Sequence, residues 1–241
     1  MPERPRPAWQ NLPWPEALAL AVLLGLAGYL MAWVPHPAPA LRIAGWDLGE
    51  YVKFLPEVRA GQVRVLREAF YLPLFAGALA LLLAAWSMRR IWRWPARLLA
   101  LPLAAVVALL MLPPVWTPQT LFRGEFRWQG TAIVACLLAT ALSPLLLRPG
   151  VRRAAAAFVA FLCALAAVLP VAEFFTVKPA LERVYARALP VGAGVWLSLG
   201  GFLLAAACSV ALGLASPGPL TTQNDGARVA PQTEEEVDRP C

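Results

Sequence analysis

The sequence predicts an all-α, polytopic membrane protein with six transmembrane helices arranged as three hairpins. Hydrophobic residues occupy 60% of the 241 positions, whereas ordinary soluble domains contain about 45–50%. They form six continuous windows, each near the roughly 17–25 residues that a helix needs to cross a bilayer. The windows lack the period-two alternation of membrane β-strands. They are Ala17–Val34, Phe70–Trp86, Ala96–Leu112, Thr131–Leu147, Ala154–Thr176 and Val191–Leu214.

The chain divides into three predicted parts. Residues 1–16, with five prolines, are expected to form an irregular cytoplasmic leader. Residues 17–214 form the transmembrane domain, and residues 215–241 form a polar, disordered cytoplasmic tail. The first window is longer than the apolar core of a signal peptide, about 7–15 residues, so we expect a retained helix. Cleavage after Ala40, in an "APA" sequence, is the open alternative.

The orientation follows from the connections after the second and fourth windows, which contain arginines and no acidic residue. By the positive-inside rule these connections lie in the cytoplasm. Because six is an even number, both termini are expected there too, in a multi-pass protein of the cell (inner) membrane. The arginines are Arg89, Arg90, Arg93 and Arg97 in the first connection, and Arg148, Arg152 and Arg153 in the second.

Tryptophans near the window ends support these boundaries. Trp33, Trp128 and Trp196 are among several that fall where a window begins or ends. An indole ring prefers the headgroup layer of a membrane, so these side chains are expected at the interface.

Composition and motifs exclude several classes of protein. The formal net charge is +7, but the basic residues form no single run, so the expected partner is the lipid bilayer and not nucleic acid. His36 and the four cysteines do not have the spacing of a metal site, and no metal or cofactor is expected. The sequence has no phosphate-binding loop and no G-x-S-x-G motif, which argues against an ATPase or a serine hydrolase.

The first outer loop, residues 35–69, is unusually rich in charges for this chain. Asp47 and Glu50 have the three-residue spacing of an N-cap and its reciprocal N3 carboxylate. We therefore expect a short helix that begins at Asp47 and lies in the outer membrane interface. Pro56 is expected to end this helix or to begin a second one.

The same loop resembles the first outer loop of polytopic glycosyltransferases that use polyprenyl-phosphate sugars. The resemblance covers Asp47, "EY" at Glu50–Tyr51, "RAG" ending at Gly61, and "FYLPL" at Phe70–Leu74. It implies that Asp47 is the general base toward the acceptor, with Glu50 behind it. It also implies that basic residues of the outer loops hold the lipid-linked phosphate.

Two outer segments, "LFRGEFR" and "LERVYAR", share the pattern Leu-x-Arg-x-x-x-Arg. Arginines four residues apart face the same side of a helix. They are candidates for a basic collar that contacts lipid phosphate, since arginine binds phosphate in a bidentate way. The alternative is interfacial helices whose arginines snorkel to the headgroups. The four candidates are Arg123, Arg127, Arg183 and Arg187.

The last window carries small residues at steps of four. Such a stripe allows another helix to approach closely, either within the same chain or in a homo-oligomer. Its members are Gly201, Ala205, Ser209 and Gly213.

These patterns favour an integral membrane protein without catalytic machinery of its own, acting as an accessory or assembly subunit of a membrane complex. Glu173 is the only carboxylate within the six windows, whereas ion-coupled carriers generally need several ionisable groups at membrane depth. Whether the chain is an enzyme stays open. One alternative is a glycosyltransferase-like enzyme that acts on lipid-phosphate-linked sugars at the outer face. Another is a permease subunit that needs a separate ATPase.

Overall fold

A computed structural model describes residues 12–36, 42–88, 93–113, 117, 119–122 and 124–215, except the side chain of Glu125. This part of the chain is all-α apart from one antiparallel pair of short strands, β1 (Ala32–Val34) and β2 (Ile43–Ala44). The helices are α1 (Trp14–Leu30), α2 (Gly45–Tyr51), α3 (Pro56–Arg59), α4 (Leu72–Ser87), α5 (Arg93–Leu109), α6 (Arg127–Leu142), α7 (Pro149–Tyr185) and α8 (Ala193–Ala215). Single 3₁₀ turns cover Val52–Phe54, Arg67–Tyr71, Gly124–Phe126 and Ser143–Leu147.

Each of the six apolar windows overlaps one of the long helices, but among the described residues four helices, not six, have the length and composition to cross a membrane. They are Arg67–Ser87 and Arg127–Leu147, in which a 3₁₀ turn adjoins α4 or α6, together with α7 and α8. The other two, α1 and α5, have 17 residues each. α1 is shorter than its window because the chain leaves the helix after Leu30 to form β1. α5 begins with two arginines, Arg93 and Arg97, which lower its hydropathy.

α7 is much longer than the window that predicted it. Its 37 residues correspond to about 55 Å at about 1.5 Å per residue, which exceeds the roughly 30 Å hydrocarbon layer. The additional turns at its C-terminal end carry Lys178, Glu182 and Arg183, and Lys178 pairs with Glu182. The helix ends at Ala186, which adopts a left-handed conformation with φ of 49°.

α4 is the most buried of the four candidate membrane helices. It contacts α1, α5, α6 and α7, while α8 packs against α1 and α7. α1 and α8 approach so closely that a Cβ atom added at Gly201 would lie 2.3 Å from the backbone nitrogen of Gly25. A Cβ atom added at Gly28 would lie 2.3 Å from the nitrogen of Ser198. Small residues therefore allow the close α1–α8 contact, in the way that they do between helices in membranes.

The small-residue stripe of α8 is largely covered by the chain itself. Gly201 faces α1, and a Cβ atom added at Gly213 would lie 3.3 Å from the Cβ of Ala156 in α7. Ala205 and Ser209 are fully buried. These contacts support packing within one chain, and an oligomeric contact through the same residues stays a prediction.

One end of the helix bundle holds β1, β2, α2 and α3, and we call it the loop end. Trp33 in β1 is fully buried and donates its indole N–H to the carbonyl of Gly28 at 3.2 Å. Trp33 is thus packed within the protein, whereas Trp128 and Trp196 are exposed, and the interfacial depth of all three stays a prediction. The carbonyl of Trp33 accepts the N–H of Gly192 at 2.8 Å, which ties the α7–α8 connection to the sheet.

Candidate functional site

α2 begins earlier than the sequence predicted. Its first residue is Gly45, its N-cap position is Ala44, and Asp47 is the third residue of the helix. Gly45 is closely packed, because a Cβ atom added there would lie 2.7 Å from the ring of Tyr29 and 2.8 Å from that of Trp33. The expected N-cap role of Asp47 is therefore wrong.

Asp47 closes the first turn of α2. Its Oδ2 atom accepts the N–H of Ala44 at 3.1 Å, which is the reciprocal half of a capping box. Burial raises the pKa of the half-buried carboxyl more than this hydrogen bond lowers it. Of the two proposed catalytic carboxyl groups, Asp47 is consequently the better proton acceptor.

Glu50 has different surroundings. Its Oε1 atom accepts the hydroxyl hydrogen of Tyr71 at 2.7 Å, and its Oε2 atom lies 2.6 Å from Nζ of Lys53. Burial raises the pKa of Glu50, but the hydrogen bonds from Lys53 and Tyr71 outweigh this effect and hold it below its ordinary value. Glu50 therefore remains ionised and anchors α2 to the start of α4.

Two further side chains extend this network to α6. Arg67 donates to Oε1 of Gln129 at 3.3 Å, and Gln129 donates to the carbonyl of Met111 at 3.3 Å. Above them, Lys53 Nζ lies 5.6 Å and the Arg67 guanidinium 5.7 Å from the centre of the Phe126 ring. These contacts join the first loop to the end of α5 and the start of α6. We call Glu50, Lys53, Arg67, Tyr71 and Gln129 the polar cluster.

The polar cluster borders a groove between α4 and α6. The groove has a volume of about 430 Å³ and places Glu68, Tyr71 and Gln129 among apolar side chains. Its apolar lining consists of Leu66, Leu72, Phe75, Met111, Trp128 and Ala132.

A second groove of about 410 Å³ continues along the same helices. Both grooves are lined by Phe75, one turn into α4. The second groove contains Leu79, Leu82 and Ala135 and extends to Phe158 of α7, with Ser143 as its only polar lining residue among the described residues. The two grooves therefore meet the same side chain, Phe75, and the one at the loop end includes three polar residues in its lining whereas the other is almost entirely apolar.

Three of the four predicted arginines are described, and they lie at the loop end without converging on Asp47. Arg183 binds Glu57 of α3, with Nε 2.6 Å from Oε1, and this hydrogen bond is the main reason that the pKa of Glu57 is lowered. Arg127 lies over its neighbour Trp128, 5.6 Å from the ring centre. Arg187 lines a separate cavity, and Arg123 lies outside the described residues. Contact with lipid phosphate stays a prediction for all four.

The described residues contain no group of three or more His, Cys, Asp or Glu side chains that could hold a metal ion. Cys136, Cys163 and Cys208 are free and buried within helices.

No family model, no curated protein and no solved structure matches this chain. The resemblance of residues 45–74 to glycosyltransferase loops therefore stays a hypothesis that rests on the quoted residues.

Sequence reasoning missed three members of the polar cluster. Lys53 had a signal, because it stands three residues after Glu50, at the spacing of a helical ion pair. Arg67 and Gln129 had none, since they are 62 positions apart and meet only through the packing of α4 against α6.

Proposed function

We propose that this chain is a non-catalytic membrane subunit that binds one membrane lipid at its loop end. The observation that carries the proposal is the pair of grooves that share Phe75 in their lining. The acyl chain lies in the apolar groove along α4 and α6, and the headgroup contacts the polar cluster. A groove that is apolar along membrane helices and polar at one end matches the two halves of a lipid.

The state of the two carboxylates supports a structural role over a catalytic one. The carboxylate of Glu50 forms a salt bridge with Lys53 and accepts a hydrogen bond from Tyr71. The carboxylate of Asp47 accepts the N–H of Ala44 at the first turn of α2. Both are used to shape the loop that covers the groove. The same arrangement suits an accessory or assembly subunit whose loop end contacts lipid or a partner protein.

The enzymatic alternative rests on Asp47. Its raised pKa and partial exposure are properties of a general base, as the glycosyltransferase resemblance implies. The permease alternative would be supported by a nucleotide-binding protein that co-purifies with the chain.

We further propose that α1 and α5 also cross the membrane, which gives six spans. The protein then lies in the cell (inner) membrane with both termini in the cytoplasm. The proposal is supported by the packing of α1 against α4 and α8 and of α5 against α4. The loop end then faces outward. A membrane-impermeant thiol reagent that labelled Cys241 in intact cells stripped of their outer barrier would show the opposite orientation.

Photo-crosslinking tests the lipid site. The full chain is reconstituted with a phospholipid that carries a diazirine on its acyl chain, and the labelled peptides are identified by mass spectrometry. We expect labelling to concentrate on α4 and α6. Ala135→Phe narrows the apolar groove and should remove most of this labelling. Ala207→Phe places the same bulk on the exposed face of α8 and should leave it intact.

Labelling spread evenly over the exposed faces of α6 and α8, or equal effects of the two phenylalanine variants, would show that lipid only surrounds the protein. Melting temperatures of both variants in detergent identify any loss of labelling that comes from unfolding.

A further inference from the structure

A crevice separates α7 and α8 at the end of the bundle opposite to the loop end. It has a volume of about 320 Å³. Arg153 and Ser209 are its polar lining residues among those described, and the rest are Ala157, Val210, Gly213 and Leu214. None of these residues belongs to the site at the loop end.

Ser209 in this crevice has an unusual environment. The residue is fully buried, yet its Oγ atom has no hydrogen-bond partner among the described residues. Hydroxyl groups in helices commonly bond a carbonyl one turn earlier, as Thr140 does with Cys136 at 2.9 Å and Thr176 does with Ala172 at 3.0 Å. A buried hydroxyl without a partner costs free energy, so a polar ligand atom in the crevice would stabilise it.

The electrostatic potential near the crevice favours an anion. α7 begins here, and a helix N-terminus carries a partial positive charge. Arg148 occupies the N-cap position, Arg152 and Arg153 follow in the first turns, and the first turn contains no acidic residue. Basic pockets between membrane helices commonly bind the headgroups of anionic lipids.

We propose that the crevice binds the phosphate group of an anionic phospholipid. Arg153 contacts the phosphate, and Ser209 donates its hydroxyl hydrogen to an ester or phosphate oxygen. The walls formed by Ala157, Val210 and Leu214 suit the start of an acyl chain, and α7 and α8 are both long and apolar enough to cross a membrane. A free phosphate ion would use the arginine but leave these walls in water.

Native mass spectrometry of the full chain in a non-ionic detergent tests the proposal. Phosphatidylglycerol and phosphatidylcholine are added in separate titrations, and the fraction of protein with one bound lipid is measured. We expect phosphatidylglycerol to bind at lower concentration. Arg153→Gln should weaken its binding by about fivefold, the order expected for one basic side chain near a lipid headgroup. Ser209→Ala should weaken it by roughly threefold, the order expected for one hydrogen bond.

Two controls make the result decisive. Arg59→Gln removes the same charge from an exposed position in α3 and should leave phosphatidylglycerol binding at the wild-type level. The lipid-free melting temperature of Ser209→Ala should not fall, because the variant removes a hydroxyl without a partner and not a packing group.

Three results would overturn the proposal. The first is equal binding of the two lipids by the wild-type chain. The second is wild-type phosphatidylglycerol binding in both Arg153→Gln and Ser209→Ala. The third is an increase in melting temperature with inorganic phosphate alone that matches the increase with phosphatidylglycerol and is lost in Arg153→Gln, which would identify a site for the free ion.

Discussion

Replacing Asp47 by asparagine or by alanine distinguishes a structural carboxylate from a catalytic one. Asparagine retains an oxygen that can accept the N–H of Ala44, whereas alanine leaves that donor without its 3.1 Å partner. A hydrogen bond of this kind contributes about 0.5–1.5 kcal/mol net. For a chain of this length, 1 kcal/mol corresponds to roughly 2–4 °C in melting temperature. We therefore expect Asp47→Ala to melt a few degrees lower than the wild type.

The raised pKa of Asp47 predicts the sign of the asparagine effect. Because burial raises the pKa of the folded carboxyl, the ionised form is less favourable in the folded protein than in the unfolded chain. The contribution of Asp47 to stability therefore falls as the pH rises from the unfolded pKa to the folded one. At neutral pH, Asp47→Asn should have a melting temperature equal to or above that of the wild type.

The assay combines thermal unfolding in detergent with complementation of a deletion strain. If Asp47 only closes the first turn of α2, Asp47→Asn should complement fully, and Asp47→Ala should complement in proportion to its folded fraction. If Asp47 is a general base, both variants should lose function, since an amide does not accept a proton at neutral pH. An Asp47→Asn protein that melts like the wild type but fails to complement would refute the structural role and support the glycosyltransferase-like alternative.

Three further predictions concern the fold and the polar cluster. Gly201→Ala should lower the free energy of unfolding by about 1–3 kcal/mol, because the added methyl group would lie 2.3 Å from the backbone nitrogen of Gly25. The control is Gly200→Ala, because no atom lies within 4 Å of its new methyl group. If both variants lost the same stability in thermal unfolding, α1 and α8 would be able to move apart at no cost. Ala186→Gly should raise stability by about 1 kcal/mol, since glycine adopts a left-handed φ without the Cβ penalty, and a lower melting temperature would contradict this. The pKa of Glu50 is lowered, so its contribution to folding stability is complete above the ordinary glutamate pKa of roughly 4.3 and is lost as the pH falls below it. In melting curves at several pH values, Glu50→Gln should therefore lose less stability on acidification than the wild type. Equal losses would refute the effect.

Much of the helical framework was predictable because hydrophobicity is a local property. Every apolar window overlaps a long helix, and the small-residue stripe of α8 lies at a close helix contact, with Gly201 against Gly25. The ends of the helices were less predictable. α1 is ended by strand pairing with β2, and α7 continues beyond its apolar part because charged residues such as Lys178 and Glu182 also form helix, stabilised by their own ion pair.

The candidate site was predictable only in part. Asp47 and Glu50 stood out as acidic residues in an apolar chain. Their roles, however, depend on hydrogen-bond and ion-pair partners that no local sequence pattern predicts. The packing of Gly45 at the start of α2 depends on the rings of Tyr29 and Trp33, which leave no space for a side chain there.

The sequence by itself determined the all-α fold, the hydrophobicity of the long helices and their approximate positions, because each follows from the composition of a short stretch of chain. Only the tertiary structure decided which polar groups meet. Glu50 and Tyr71 are 21 positions apart, and Arg67 and Gln129 are 62 apart. Helix packing produces these contacts, the grooves beside them and the isolation of the Ser209 hydroxyl. It brings together residues that are far apart in the sequence, and no local sequence pattern specifies which of them meet.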